Sequence, residues 1–304
     1  MASLSAPSGA SPTESGLIAG FAAYLLWGFL PLLFGLLRDV GAVTIVADRT
    51  LCSLVFVGLL LLALKGYPEV RQVLGDRRTV ARMAVAAVLL AANWLIFVFA
   101  VEAGHVLEAS FGYFINPLAN VALGILFLGE RLNRVQLAAI VVALVAVLIQ
   151  AVGIGSVPYI ALSLAFSFAA YGFLRKTVKA SAAAGLFIET LVLAPVALGY
   201  ILYTFWRDGG IGPLGDPYTA FLLLLTGPGT AVPLLLFAIA VKRLKLSTVG
   251  MLQYLSPSIA FILAITVFGE ELNLTRAISF GLIWLSLIIY SSDGLLRHRA
   301  RSLP

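Results

Sequence analysis

This chain is poor in charge: only 11% of its 304 residues are Asp, Glu, Lys or Arg. A soluble domain carries roughly 25%, so a globule with an ordinary charged surface is excluded. The single cysteine, Cys52, leaves no internal disulfide to form. There are two histidines, His105 and His298, no metal-ligand spacing, and one adjacent acidic pair, Glu270-Glu271. The composition therefore argues against a metal site and against a membrane enzyme with a concentrated catalytic set. No Gly-x-x-x-x-Gly-Lys-[Ser/Thr] loop occurs, and no lysine follows a glycine, so coupling to ATP through a phosphate loop is excluded. Alternating polar and apolar positions, the mark of a membrane β-barrel, are missing too. Nothing calls for a cofactor.

What the chain has is apolar length. Hydrophobic residues make up 61% and mean hydropathy is +1.05. Ten apolar runs are separable, near 16–37, 43–64, 80–101, 104–128, 135–152, 157–174, 184–203, 219–241, 246–268 and 275–292. A helix crossing about 30 Å of hydrocarbon needs roughly 20 such residues. The expectation is an all-α integral membrane protein with ten transmembrane helices, surrounded by lipid. Residues 1–15 are Ser/Ala/Pro-rich without Lys or Arg, unlike a signal peptide, and read as a disordered tail; residues 293–304 read as a basic tail.

The net charge of +6 is a topology signal. Sixteen of the twenty basic residues fall in alternate loops or the C-terminal tail, from Lys65, Arg71, Arg77, Arg78 and Arg82 onward through Arg131 and Arg134, Arg175 to Lys179, Lys242 to Lys245, and Arg297 to Arg301. Arg38, Arg207 and Arg276 fall on the other side, and Arg49 lies within a span. Cytoplasmic loops carry the excess of Lys and Arg, which puts both termini in the cytoplasm and argues against nucleic-acid binding.

The chain also repeats itself. Val106–Leu148 and Leu246–Ile288 are two copies of one motif about 140 residues apart, with Asn116-Pro117 opposite Ser256-Pro257 and Gly129-Glu130-Arg131-Leu132-Asn133 opposite Gly269-Glu270-Glu271-Leu272-Asn273. Trp27-Gly28-Phe29-Leu30 matches Tyr171-Gly172-Phe173-Leu174, Asp48 matches Glu189, and Ile96-Phe97 matches Leu236-Phe237. Residues 16–152 and 153–292 thus form two five-helix repeats. Five is odd, so the second repeat enters the membrane from the opposite face. Inverted repeats build secondary transporters with a site near the midplane.

Polar and aromatic residues inside the spans are the candidate site. Tyr113, Asn116 and Asn120 share a stripe of span four, where Pro117 frees the Tyr113 carbonyl. Span nine repeats this with Gln253, Tyr254 and Pro257. Tyr24 and Trp27 of span one, Asn93 and Trp94 of span three and Tyr171 of span six add rings and an amide for an amphipathic solute. Asp48, Arg49, Glu108 and Glu189 are the candidates for proton coupling or for the charge of a substrate; Arg49 suits a carboxylate. Hydrogen bonding between helices and snorkelling to headgroups are the structural alternatives. Gly129 and Gly269 read as helix ends, Asn133 and Asn273 as caps, and Glu130 and Glu270 as supports of the turns. Gly227, Pro228 and Gly229, followed by Pro233, predict an unwound hinge in span eight. Gly16 and Gly20 make a small-xxx-small pair for internal packing or a homodimer.

Two five-helix halves closed by Gly-Glu-x-Leu resemble the drug/metabolite transporter superfamily in its EamA branch. Ala92-Asn93-Trp94-Leu95, Leu107-Glu108-Ala109-Ser110, Gly112-Tyr113-Phe114-Ile115-Asn116-Pro117-Leu118 and Leu252-Gln253-Tyr254-Leu255-Ser256-Pro257 resemble its RarD, or chloramphenicol-sensitive protein, subgroup. The chain departs from that subgroup at Ala47-Asp48-Arg49, where Ala-His-Arg is usual, and at Gly269-Glu270-Glu271, where Gly-Glu-Pro is frequent. The resemblance covers roughly 16–292. It implies a carrier for small metabolites or drugs in the bacterial plasma membrane, with chloramphenicol among the ligands suggested. An exporter of aromatic or other amino acids is the alternative, and a channel or membrane enzyme the remote one.

Overall fold

The structure is a computed structural model that describes residues 11–37, 39–102, 106–154, 159–208, 210, 212–267 and 274–302. Twelve α-helices run in chain order: α1 (Pro12–Leu36), α2 (Ala42–Ala63), α3 (Tyr67–Gly75), α4 (Arg77–Glu102), α5 (Val106–Leu128), α6 (Arg134–Ile154), α7 (Tyr159–Thr177), α8 (Ala182–Asp208), α9 (Pro217–Arg243), α10 (Leu246–Gln253), α11 (Leu255–Thr266) and α12 (Leu274–Ser302). No strand occurs among the described residues.

Eight stretches are long and apolar enough to cross a membrane, and Ala277–Asp293 in α12 is a shorter apolar helix. The expected span at 157–174 is α7, which is not among the eight. It carries Ser163 and Ser167 and ends in Arg175 and Lys176. It lies against α4, α5 and α9, so much of its surface meets protein rather than lipid.

Local chemistry sets the boundaries. Helix α1 starts four residues before its apolar run because Ser11 and Glu14 form a reciprocal cap: Glu14 N–H donates to Ser11 Oγ (3.2 Å) and Ser11 N–H to Glu14 Oε2 (2.7 Å). Residues 12–15 of the expected tail are therefore helical. Helix α12 runs on through Ser302, so the basic stretch continues the last helix. The loop expected at 65–79 contains α3, which buries Val70 and Val73. Asp76 then caps α4, accepting from Thr79 Oγ1 (2.6 Å) and Arg78 N–H (3.0 Å). The bonds from Thr79 hold its carboxyl below the usual carboxylate range.

Span eight corrects an expectation. Helix α9 is unbroken through Gly227, Pro228, Gly229 and Pro233. Helix α2 braces this segment: Ser53 Oγ donates to the Gly227 carbonyl (3.1 Å), and Gly227 lies so close to Cys52 that a Cβ there would sit 2.6 Å from Cys52 Cβ. The break falls in span nine, where Tyr254 separates α10 from α11. Pro257 has no N–H for the Gln253 carbonyl, four residues back. Pro117, by contrast, sits inside a continuous α5.

Two large hydrophobic cores result among the described residues, beside two small clusters, one of Leu37, Leu222 and Leu223 and one of Ala100 and Leu164. Helices α1, α2, α4, α7, α8 and α9 share one, around Tyr24, Tyr171 and Phe237. Helices α5, α6, α10 and α12 share most of the other, around Phe114, Tyr254 and Phe280. Extensive contacts cross between the chain's halves: α1 with α9, α7 with α4, α5 with α7, α11 with α1, α2 with α8, α5 with α10, and α6 with α12. Gly16 and Gly20 serve this packing, facing Arg243, Leu244 and Leu252 of the same chain.

The closest of these crossings is α5 on α10. A Cβ on Gly250 would lie 2.6 Å from the Pro117 carbonyl oxygen, a backbone atom that cannot swing aside. Gly250→Ala should lower unfolding stability in mixed micelles by about 1–3 kcal/mol, the range for overpacking. At Gly281 nothing lies within 4 Å of an added Cβ, and Gly281→Ala should be neutral or stabilising by up to about 1 kcal/mol. Equal effects would remove the tight crossing.

Candidate functional site

The side chains of the expected site fall into four settings. The first surrounds Arg49. Its side chain is 9% exposed; Nε donates to Thr230 Oγ1 of α9 (2.9 Å), and the guanidinium lies over the Trp94 ring of α4 at 4.3 Å and near the Phe34 ring of α1 at 5.6 Å. Tyr113 of α5 stands close enough to interact with its charge and is itself 47% exposed, edge-on to Phe97 at 6.1 Å. Asp48 is buried beside Arg49 in sequence yet forms no ion pair with it. Consecutive helical residues point about 100° apart.

The second setting is an aromatic plug. Phe237 of α9 stacks on Tyr171 at 6.0 Å and touches Phe168 at 5.3 Å, Trp27 at 5.8 Å and Tyr24 at 6.3 Å. Tyr24 and Tyr171 are fully buried while Trp27 is half-buried. Phe168 and Phe237 escape a search for polar groups; Phe237 shows only through its repeat match. Beside the plug, Asn93 Nδ2 ties α4 to α7 through the Leu164 carbonyl (2.8 Å) and Ser167 Oγ (2.9 Å).

The third setting is the α5–α10 crossing. Asn120 Nδ2 donates to Gln253 Oε1 (2.9 Å) and approaches Asn116 Oδ1 (3.4 Å), with all three residues buried. Tyr254 Oη donates to the Phe114 carbonyl (3.2 Å), next to the Tyr113 carbonyl that Pro117 frees. These residues bond to one another across helices, as buried polar groups in a bundle must.

The fourth setting is a buried ion pair. Glu189 accepts from Tyr171 Oη (3.2 Å), and its Oε1 lies 3.4 Å from Arg175 Nη1. Arg175 also donates to the Ala182 carbonyl (3.1 Å) and is 1% exposed. The sequence reading counts Arg175 among loop cations; the structure buries it under Gly185, where any side chain would overlap the guanidinium. The side chain of Glu108 lies outside the described residues, as does the Gly269–Asn273 turn.

One end of the bundle is fastened by long side chains. Gly129, at φ +63°, reverses the chain so that Glu130 N–H reaches the Gly124 carbonyl (3.0 Å). The Glu130 carboxylate then caps α10, accepting from Leu246 N–H, Ser247 N–H (3.0 Å) and Ser247 Oγ (2.7 Å). Asn133 caps α6 through Gln136 N–H (2.9 Å) and bonds Asp293 of α12 (2.6 Å). Lys176 of α7 donates to the carbonyls of Val241 in the last turn of α9 (2.9 Å) and of Leu244 just past it, while Lys242 of α9 donates to the Val178 (3.3 Å) and Ala180 carbonyls beyond α7. Arg243 reaches Ser15 of α1, and Ser181 N–H donates to Glu69 of α3 (2.7 Å).

Three comparisons bear on this arrangement. The sequence pattern of the EamA-like transporter family matches residues 14–151 and again 156–292. Protein RarD of Escherichia coli (strain K12) is 40% identical, covering 96% of this chain and 99% of that one. Protein RarD of Streptomyces exfoliatus is 43% identical, covering 95% and 92%. A solved crystal structure at 18% identity superposes with a TM-score of 0.71, covering 92% of this chain and 98% of the other.

The Glu130 cap is open to test. Glu130→Ala orphans two backbone N–H groups and should destabilise the fold by about 1–3 kcal/mol. Glu130→Gln, which keeps one acceptor oxygen, should lose less. Thermal unfolding of both variants checks the order, and an Ala variant as stable as the parent would remove the cap from the accounting.

Proposed function

Because the chain belongs to the EamA-like transporter family and its full-length relatives carry the name RarD, we propose that it is a secondary carrier. It moves small amphipathic organic metabolites or drugs across the bacterial inner membrane by alternating access. The observation that carries this reading is the exchange symmetry of the helix contacts. Pair each helix of residues 16–152 with its counterpart in 153–292, span one with six and so on. Then α1 on α9 maps onto α7 on α4, α5 on α7 maps onto α11 on α1, and α2 on α9 maps onto α8 on α4. Such a bundle has a second arrangement of similar energy, because each interface has a twin.

In this reading the chain crosses ten times as two inverted five-helix repeats, with α10 and α11 together as span nine. The fastened end, where Lys176, Lys242, Arg243 and Lys245 gather, faces the cytoplasm along with both termini. The solute enters from the opposite end and meets Arg49, Trp94 and Tyr113, halted by the plug of Tyr24, Trp27, Tyr171 and Phe237. Asn116, Asn120, Gln253 and Tyr254 line the pathway only when the α5–α10 crossing shifts, with Pro117 and Pro257 as its hinges. Chloramphenicol-like drugs are one substrate class that the RarD resemblance suggests. Aromatic amino acids are the second, favoured by the rings around a free guanidinium. Asp48 is the coupling candidate; Glu189, held by Arg175 and Tyr171, is a weaker one.

Counterflow in proteoliposomes, with amphenicol drugs and aromatic amino acids as competitors, tests the carrier. Trp94→Ala and Tyr113→Ala should raise KM by about tenfold, the loss of roughly one stacking contact, with abundance unchanged. Asn120→Ala should chiefly reduce folded protein. Unaltered transport in all three would place the site elsewhere.

Orientation is tested separately in a Cys52→Ala background. Single cysteines at positions 131 and 271 should label from opposite faces of the membrane with an impermeant maleimide. Labelling from one face would end the inverted arrangement.

A further inference from the structure

Among the described residues, the two buried arginines are held in different ways, and the difference identifies a recognition group. Arg175 has a carboxylate at 3.4 Å from Glu189 and carbonyls at 3.1 Å and 3.5 Å from Ala182 and Ser181. Arg49 has one neutral partner, Thr230 Oγ1 at 2.9 Å, and two aromatic faces. No described carboxylate pairs with it. A cation taken out of water in this way needs an anion.

Its geometry limits where that anion goes. Trp94 covers the face of the guanidinium at 4.3 Å, the stacking that arginine favours over lysine. Thr230 holds Nε. The edge carrying Nη1 and Nη2 remains, and neither atom is among the sealed, unpartnered nitrogens of the structure, as Arg175 Nε is. That edge takes a carboxylate end-on through two parallel N–H···O bonds. The walls come from α1, α4 and α9, so the guanidinium sits among helices, and Arg49 is 9% exposed.

We infer that Arg49 receives an anionic head group of the transported solute, a carboxylate in size and geometry, while Trp94, Phe34 and Tyr113 hold its apolar body. The inference rests on the carrier reading and narrows its substrate class to organic anions with an aromatic or otherwise apolar body. Thr230 acts as a positioning residue, fixing the fork so that its free edge keeps one direction.

The test modifies the guanidinium directly. Purified full-length protein in a neutral detergent is treated with phenylglyoxal, and modification of Arg49 is read by peptide mass spectrometry, with exposed Arg131 as the internal reference. Benzoate, its neutral analogue benzamide, or phosphatidylglycerol is added as protectant. Arg49 should react, and benzoate should protect it at concentrations at least about tenfold below benzamide, the weight of roughly one charge-assisted contact. Arg131 should be unaffected by either. An unreactive Arg49 means an internal partner and overturns the inference. So does equal protection by benzoate and benzamide, absence of protection, or protection by phosphatidylglycerol alone, which would make the occupant a lipid headgroup. The two readings fail separately. Counterflow indifferent to solute charge removes the anion site and leaves the carrier. Benzoate protection without any counterflow leaves the anion site and removes the carrier.

Discussion

Backbone groups at helix ends need partners, and where neighbouring helices cover them, side chains must supply what water cannot. This constraint organises the fastened end of the molecule. Glu130, from the first half, supplies acceptors for the first N–H groups of α10 in the second half. Lys176 and Lys242 exchange roles, each leaving its own helix to satisfy carbonyls at or just past the other's C-terminal end. The charges also suit the helix dipoles, a carboxylate at an N-terminus and ammonium groups at C-termini. Each bond joins two helices, so relative motion of α5, α7, α9 and α10 at this end must break several of them together. Among the described residues, the far end carries the Thr44–Tyr200 contact between α2 and α8 at 3.3 Å.

Burial of charge divides the interior in two. Glu189, Arg175 and Tyr171 form a charge-balanced set, though Arg175 Nε and Glu189 Oε1 lack hydrogen bonds, and removing one member leaves a partner stranded. That set fixes α7 to α8 next to the aromatic plug. Arg49 belongs to no such set. Its stacking on Trp94 and its bond to Thr230 hold it in place without neutralising it. A charge-balanced pair gives rigidity, whereas a positioned but unneutralised cation attracts a ligand. Both sit on helices that the chain's repeat makes equivalent, since Asp48 matches Glu189. The two halves have therefore diverged in what they do with their buried charge.

Much of this was legible in the residues, and the gaps have physical causes. Apolar runs placed the helices well because hydrocarbon enforces length and composition together. The end of α5 was readable too: Gly129 adopts the left-handed turn and Asn133 caps α6, both from side-chain chemistry local to the chain. Arg175 was not readable. It stands beside Lys176 at the end of an apolar run, like a loop cation, and only the absence of a side chain at Gly185, in the next helix, makes room for it. The Gly227-Pro228-Gly229 segment misled for the same reason. Its composition signals a break, but Cys52 and Ser53 of α2 support the backbone from outside. Local signals predict local events; a partner more than a hundred residues away can reverse them.

The α5–α10 crossing joins these themes. Prolines at 117 and 257 occupy matching repeat positions, yet α5 stays continuous while span nine breaks at Tyr254. The asymmetry has a source in the contact itself. Tyr254 Oη supports a carbonyl of α5 beside its proline, and Gly250 lets α10 approach the Pro117 carbonyl. Helix α10 thus gives its own continuity to shore up α5. Under the carrier proposed above, the roles of the two helices reverse when the bundle rearranges. Asn116 matches Ser256 rather than an amide, and Tyr113 matches Gln253, so the reversed contact has a different polarity. Two shapes related by symmetry but lined by different side chains need not hold a solute equally well, so the two faces of such a carrier differ in affinity while the gradients set the direction of net flow.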